Sequence, residues 1–287
     1  MPRVLIAGCG YVGLATANLF QRAGWDVQGW TSSLESAAAL QAQPFAIRAV
    51  DLTERAAVER AAEAFDVVLQ CASSRGGGAE DYRGIYFRAA EHLAATFPKA
   101  LPLFTSSTSV YGQSDGTWVT EESAAEPERE TGRILRATEE AVLARGGIVA
   151  RLAGIYGPGR SALLRKFLDG TAVIDASSDR FINQAHRDDI AAALFLLAQQ
   201  RLAGQVVGEA GERRIFNVSD NHPISQRACY EWLARRLAKP LPPIGSAVTE
   251  RRRGNSNKRV SSAKLHALGW APRYPTFQIA LAESILL

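Results

Sequence analysis

Short apolar runs and helical repeats alternate through the first half of the chain. Arg3 to Ala7, Asp26 to Trp30, Ala46 to Val50, Val67 to Gln70, Leu101 to Thr105 and Ile148 to Leu152 have the length and composition of buried strands. Between them, apolar residues recur at helical spacing over Val12 to Ala23, Leu34 to Gln41, Glu54 to Ala64, Tyr82 to Thr96 and Thr131 to Ala144. Strands alternating with helices predict βαβ units and a parallel sheet, with right-handed crossovers covering both faces. After Leu152 the rhythm loosens. Gly154 to Gly159 reads as a loop. Helices are predicted at Ser161 to Asp169, Asp188 to Gln199 and Ser225 to Ala238, with a late strand at Ile215 to Val218. The fold class is therefore α/β: a doubly wound parallel sheet of Rossmann type with a small, mostly helical C-terminal cap. Residues 1–152 form the sheet domain. Residues 153–287 form a mixed part, a cap plus segments that return to the sheet.

Composition narrows the function classes. The 287 residues are 47% hydrophobic and 22% charged, ordinary for a packed globular chain. A net charge of +4 and a pI of about 9.1 fit either a phosphate-bearing ligand or a basic surface. The basic residues are neither concentrated nor interleaved with aromatics as a nucleic-acid binder requires. The cysteines, Cys9, Cys71 and Cys229, form no C-x-x-C pair, so neither a disulfide framework nor a zinc knuckle is expected, and reduced thiols point to the cytoplasm. The N-terminus lacks a signal-peptide layout, and the longest apolar run, Ile190 to Ala198, is too short for a membrane span. No membrane partner is expected. A homodimer stays open as the assembly.

The chemistry begins at Gly8-Cys9-Gly10-Tyr11-Val12-Gly13, directly after the first strand and at the start of the first helix. Gly8 permits a tight turn, Gly10 lets backbone approach a pyrophosphate, and Gly13 lets the helix pack on the strand. The helix N-terminus offers N–H groups and its positive dipole end to phosphates. For NAD, the second strand should end in an acid that binds the ribose 2′-hydroxyl. Here the residues are Trp30, Thr31, Ser32 and Ser33, and Glu35 pairs with Ser32 as a capping box. Without a carboxylate there is no repulsion of a 2′-phosphate, so the cofactor is NADP or NAD, with NADP favoured. Asp51 and Leu52 follow the third strand. Asp51 either accepts from the adenine amino group or caps the helix at Thr53. Cys71, Ala72 and Ser73 end the fourth strand where the second ribose would lie, and Gly76 to Gly78 form a loop.

Further motifs stand in order along the chain: Ser106-Ser107-Thr108-Ser109-Val110-Tyr111-Gly112, Arg151 to Arg160 with Tyr156-Gly157-Pro158-Gly159-Arg160, His186 and Asp189, Phe216 to Asp220, and Lys264-Leu265 to Leu268-Gly269-Trp270. Together with the glycine turn they resemble the short-chain dehydrogenase/reductase superfamily, and most closely its extended NAD-dependent epimerase/dehydratase branch. The resemblance implies that Ser107 positions a substrate hydroxyl or carbonyl, with Thr108 beside it. It also implies that the Gly157 to Arg160 loop lines the substrate cleft, where Arg160, and with it Arg253, Lys258 or Arg259, can hold an anionic or nucleotide-linked substrate. For the Arg251 to Arg253 run, a solvated basic loop is the favoured reading.

One departure matters. The superfamily carries Tyr-x-x-x-Lys on the next helix, the Tyr as general acid/base and the Lys lowering its pKa and binding the nicotinamide ribose. The matching positions here are Thr131 and Leu135, and no other Tyr or Lys lies between Gly112 and Ala150. A threonine hydroxyl is too weak an acid for the role, and leucine supplies no charge. The chain thus resembles an atypical member of the superfamily that keeps the cofactor site and lacks the standard proton-transfer pair. Tyr156, in the loop after the sixth strand, is the substitute acid favoured here. Tyr111 and His186 read as structural, and Arg133 or Arg136 can reach toward the ribose. Two functions follow: an oxidoreductase or epimerase/dehydratase-like enzyme on a sugar nucleotide or similar carbonyl compound, or a non-catalytic NAD(P)-binding sensor.

Overall fold

A computed structural model describes residues 1–74, 76–176, 179–204, 214–245 and 256–284. Its centre is a seven-stranded, all-parallel sheet of β1 (Arg3–Ala7), β2 (Asp26–Thr31), β3 (Ala46–Ala49), β4 (Val67–Gln70), β5 (Leu101–Ser107), β6 (Ile148–Leu152) and β7 (Ile215–Val218). The spatial order is β7-β6-β5-β4-β1-β2-β3. The order reverses between β1 and β4, so a crevice opens at the C-terminal edge there, where ligands bind in open α/β sheets. Register brings Ala7 beside Trp30 and Gln70, and Ser107 beside Leu152, so the strand ends that carry the motifs share that edge.

The helices are α1 (Tyr11–Arg22), α2 (Leu34–Ala38), α3 (Arg55–Arg60), α4 (Ala79–Tyr82), α5 (Ala89–Thr96), α6 (Glu130–Ala144), α7 (Ala162–Leu168), α8 (Arg187–Leu202), α9 (Gln226–Leu237), α10 (Ala263–Ala267) and α11 (Phe277–Glu283). On one face, Phe20 of α1 and Leu194 and Leu197 of α8 pack with Val4, Ile6 and Ala150. On the other, Val58 and Leu93 pack with Leu5, Val68 and Trp30. Strands buried on both faces read as continuous apolar runs, which is why they were legible.

The helix expected over Tyr82 to Thr96 is three pieces: α4, a π-helical segment Arg83–Arg88, and α5. Gln70, at the buried end of β4, donates its amide to the Ile85 and Tyr86 carbonyls at 3.0 and 2.9 Å, pinning the wide turn to the sheet edge. The cap of α2 is Ser33, whose hydroxyl accepts from the Ser36 N–H, not the expected Ser32–Glu35 box. The loops beyond β6 hold short paired strands, Gly154–Tyr156 with Gln184–His186, Phe181–Ile182 with Ile224–Ser225 and Ile174–Asp175 with Ile244–Gly245, and Arg259–Val260 pairs back to Trp118–Val119 in the segment between β5 and α6. Among the described residues, no helix is long and apolar enough to cross a membrane.

Candidate functional site

A cleft of about 1500 Å³ runs along the C-terminal edge of the sheet. At one end lies the glycine turn. Gly8 has φ +108°, and a Cβ there would stand 2.2 Å from the Ala72 nitrogen, so only glycine fits. A Cβ on Gly13 would stand 2.2 Å from the Gly8 carbonyl, which is the close helix–strand approach expected of it. Gly13 itself sits behind the cleft wall, while Gly8, Gly10, Tyr11 and Val12 line it. At Gly10 a Cβ would meet no protein atom within 4 Å. It would project into the space that a ligand needs. No side chain caps α1, so the first-turn N–H groups of Tyr11, Val12 and Gly13 keep their donor capacity. This cradle fits a pyrophosphate.

The adenosine side is walled by Thr31, Ser32, Asp51 and Leu52. Thr31 is buried and donates its hydroxyl to the Ser33 carbonyl, whereas Ser32 is exposed. Asp51 accepts from the Thr53 N–H and hydroxyl through Oδ1, at 2.9 and 2.7 Å. That is the turn-capping role, and it leaves Oδ2 for a ligand. Cys71, Ala72 and Ser73 line the middle of the cleft. Burial pushes the Cys9 thiol up to about 12 and the Cys71 thiol up to about 11, so both stay protonated and unreactive at neutral pH.

Ser107 and Thr108 line the far half of the cleft, with Thr131 and Leu135 on the α6 wall. The Ser107 Oγ accepts from the Ser109 N–H at 3.1 Å, so its own proton is free to be donated outward. Beneath it lies a buried ionic network. Glu139 accepts from Ser106 at 2.7 Å and from Arg151 through two bonds of 2.9 and 2.6 Å, and also pairs with Arg136. Arg151 donates to the Tyr111 hydroxyl, which donates to Asn217 Oδ1, each at 2.9 Å. Tyr111 is thus structural, and burial raises its pKa. Arg136 serves the network, and Arg133 faces Glu128 and Glu130, so neither projects into the cleft.

Tyr156 is corrected by the structure. It lies almost wholly buried among Leu164, Phe277 and Tyr230, does not line the cleft, and its hydroxyl meets no hydrogen-bond partner. Desolvation, the largest cause, drives its pKa far upward. A side chain in a sequence loop was expected at the substrate edge, but the strand Gly154–Tyr156 turns it into the core. His186 is likewise buried, against Tyr274 and Tyr156, and burial lowers it to about 4. Besides Tyr11 in the glycine turn and the structural Tyr111, the cleft is lined by two further phenols, Tyr82 just before the π-helical wide turn and Tyr86 within it. Nothing in sequence spacing singled them out, because a π-turn shifts which side chains face the sheet edge.

Basic side chains also reach the cleft. Lys258 donates to the Tyr111 carbonyl at 2.9 Å and Arg180 to the Ser256 carbonyl at 2.7 Å. Arg160 and Arg187 line the cleft as well. Arg259 lies outside it, stacked on Trp118 and Phe181. Arg251 to Arg253 fall outside the described residues. Among the described residues, no His/Cys/Asp/Glu cluster could hold a metal ion.

A seven-stranded doubly wound sheet with a phosphate cradle at its switch point defines a dinucleotide-binding protein of Rossmann type. The model of the NAD dependent epimerase/dehydratase family matches residues 4–218, and the chain belongs to that family. Protein YeeZ of Escherichia coli K12 is 26% identical over 96% of this chain and 97% of its own. A structure from Methylobacillus flagellatus, itself a provisional NAD-dependent epimerase/dehydratase, matches with TM-score 0.77 and 25% identity, over 99% of this chain and 97% of that one. The fold is shared with dTDP-glucose 4,6-dehydratase of Bacillus anthracis in complex with NAD, at TM-score 0.79 and 17% identity, over 99% and 96%. The chain is thus an atypical member of the extended short-chain dehydrogenase/reductase group, and the residues present fit NAD.

Proposed function

We propose that the chain binds a nicotinamide dinucleotide, NADP in preference to NAD, and uses it on a sugar nucleotide or similar carbonyl compound. The observation that carries this reading is one continuous cleft joining the Gly8–Gly13 turn to Ser107 and Thr108. Thr31, Ser32, Asp51, Leu52, Cys71, Ala72 and Ser73 are its cofactor wall. NADP is favoured because β2 ends without a carboxylate to repel a 2′-phosphate. The bound nicotinamide supplies hydride exchange. Ser107 donates to the substrate oxygen, and Lys258 and Arg180 add positive charge at that end for an anionic substrate. Burial raises the Tyr86 pKa, so this phenol stays protonated and serves as a donor rather than a base. The 153–287 part supplies the substrate wall, and the three free thiols accord with a cytoplasmic setting.

A second reading, a non-catalytic NAD(P) sensor, draws on Thr131 and Leu135. Both line the cleft where the superfamily places its proton-transfer pair. The test is NADPH oxidation against carbonyl compounds and sugar nucleotides. Turnover lost in Ser107→Ala supports the enzyme. Tight cofactor binding with no turnover supports the sensor.

A further inference from the structure

Tyr11 is the residue of the phosphate-binding turn whose side chain reaches furthest across the molecule. Its hydroxyl donates to the Pro158 carbonyl at 3.0 Å. Gly157 makes room for it: φ is +148°, and a Cβ there would stand 2.9 Å from that hydroxyl. The Arg160 and Arg187 guanidiniums each lie 5.2 Å from the Tyr11 ring centre. Two cations from separate segments, the loop after β6 and the first turn of α8, therefore converge on the residue whose backbone N–H begins the pyrophosphate cradle. Arg187 shares its charge with Asp188 at 2.8 Å. Arg160 is exposed and forms no ion pair among the described residues.

We propose that Arg160 and Arg187, stacked on Tyr11, clamp the pyrophosphate of the bound dinucleotide, so that the 157–160 loop is part of the cofactor site rather than a wall of the substrate site. A pyrophosphate brings two negative charges, and the cradle otherwise meets them with backbone dipoles alone. A guanidinium placed beside the first N–H of α1 supplies paired, charge-assisted donors. Tyr11 keeps both cations over the turn and ties the loop to it. The proposal rests on the nicotinamide-dinucleotide reading above.

The test is fluorescence titration of the whole chain with NADPH and NADH, beside calorimetry with adenosine, which lacks the pyrophosphate. Arg160→Ala is expected to weaken binding of both dinucleotides about tenfold or more, to reduce the salt dependence of that binding, and to leave adenosine affinity unchanged. Arg187→Ala is expected to have a smaller effect, because Asp188 already offsets its charge. Thermal melting of each variant at the wild-type temperature establishes that the fold is intact. Unchanged dinucleotide affinity in Arg160→Ala, with the wild type binding, overturns the clamp and leaves the cofactor reading standing. A wild type that binds neither dinucleotide overturns both.

Discussion

The two ends of the cleft are built by different means. The cofactor end is made of backbone: a positive-φ glycine, a close helix–strand approach and uncapped N–H groups. The other end, where we propose that substrate binds, is made of side chains held by buried charge. Glu139, Arg151, Tyr111 and Asn217 link α6, β6, the segment after β5, and β7 beneath Ser107. Backbone geometry needs a few residues close in sequence. A buried ionic network needs residues from distant segments and fails when one member is lost.

That contrast sets the largest expected effect. Glu139→Ala leaves Arg151 charged, buried and without its carboxylate, which costs about 3–5 kcal/mol. Denaturant unfolding should show the loss; a change below about 1 kcal/mol would mean that the network is not a support of the substrate end. Gly8→Ala comes next, at about 2–4 kcal/mol, since the new Cβ is both conformationally strained and driven into Ala72. Gly10→Ala then separates binding from folding. Its Cβ meets no protein atom, so stability should shift by less than about 1 kcal/mol while NADPH affinity falls about tenfold or more. Unchanged affinity there would remove the cradle from the cofactor site.

The same contrast explains what could be read in the sequence. The glycine turn, the strands and the order of the motifs were legible because each signal is local: a run of buried residues, a turn residue, a helical repeat. Ser107 and Thr108 were legible by resemblance to a motif at a strand end. Tyr156 was not, because its loop folds into a short strand that pairs with Gln184–His186 and points the ring inward. Tyr82 and Tyr86 were missed because the π-turn pinned by Gln70 decides which phenols face the cleft. Glu139 stands on the buried face of α6 between Leu135 and Val142, a carboxylate at a core position. That irregularity was visible in the helical repeat, but its partner Arg151 was legible only once β6 was placed.

The smallest expected effect concerns pH, and it comes from a buried carboxylate beside the sheet, outside both ends of the cleft. Asp220 follows β7 and is almost fully buried, and desolvation raises its carboxyl to about 8. Asp189 nearby pushes the same way, and the His222 N–H bonded to Oδ1 opposes it. Between the ordinary carboxylate pKa near 3.8 and about 8, the folded state keeps a proton that the unfolded chain has released. Stability therefore falls as pH rises through that window. His186, lowered to about 4, works in the opposite direction, but only below its ordinary 6.5, so the range from pH 7 to 8 isolates Asp220. Asp220→Asn is neutral at every pH and should melt about 2–4 °C above the wild type at pH 8.5, with a narrower gap at pH 5. The buried Cys9 and Cys71 thiols stay protonated in the fold, and the ionisation of their unfolded counterparts toward pH 9 affects wild type and variant alike. Parallel melting curves for wild type and variant from pH 7 to 9 would show that Asp220 is charged when folded.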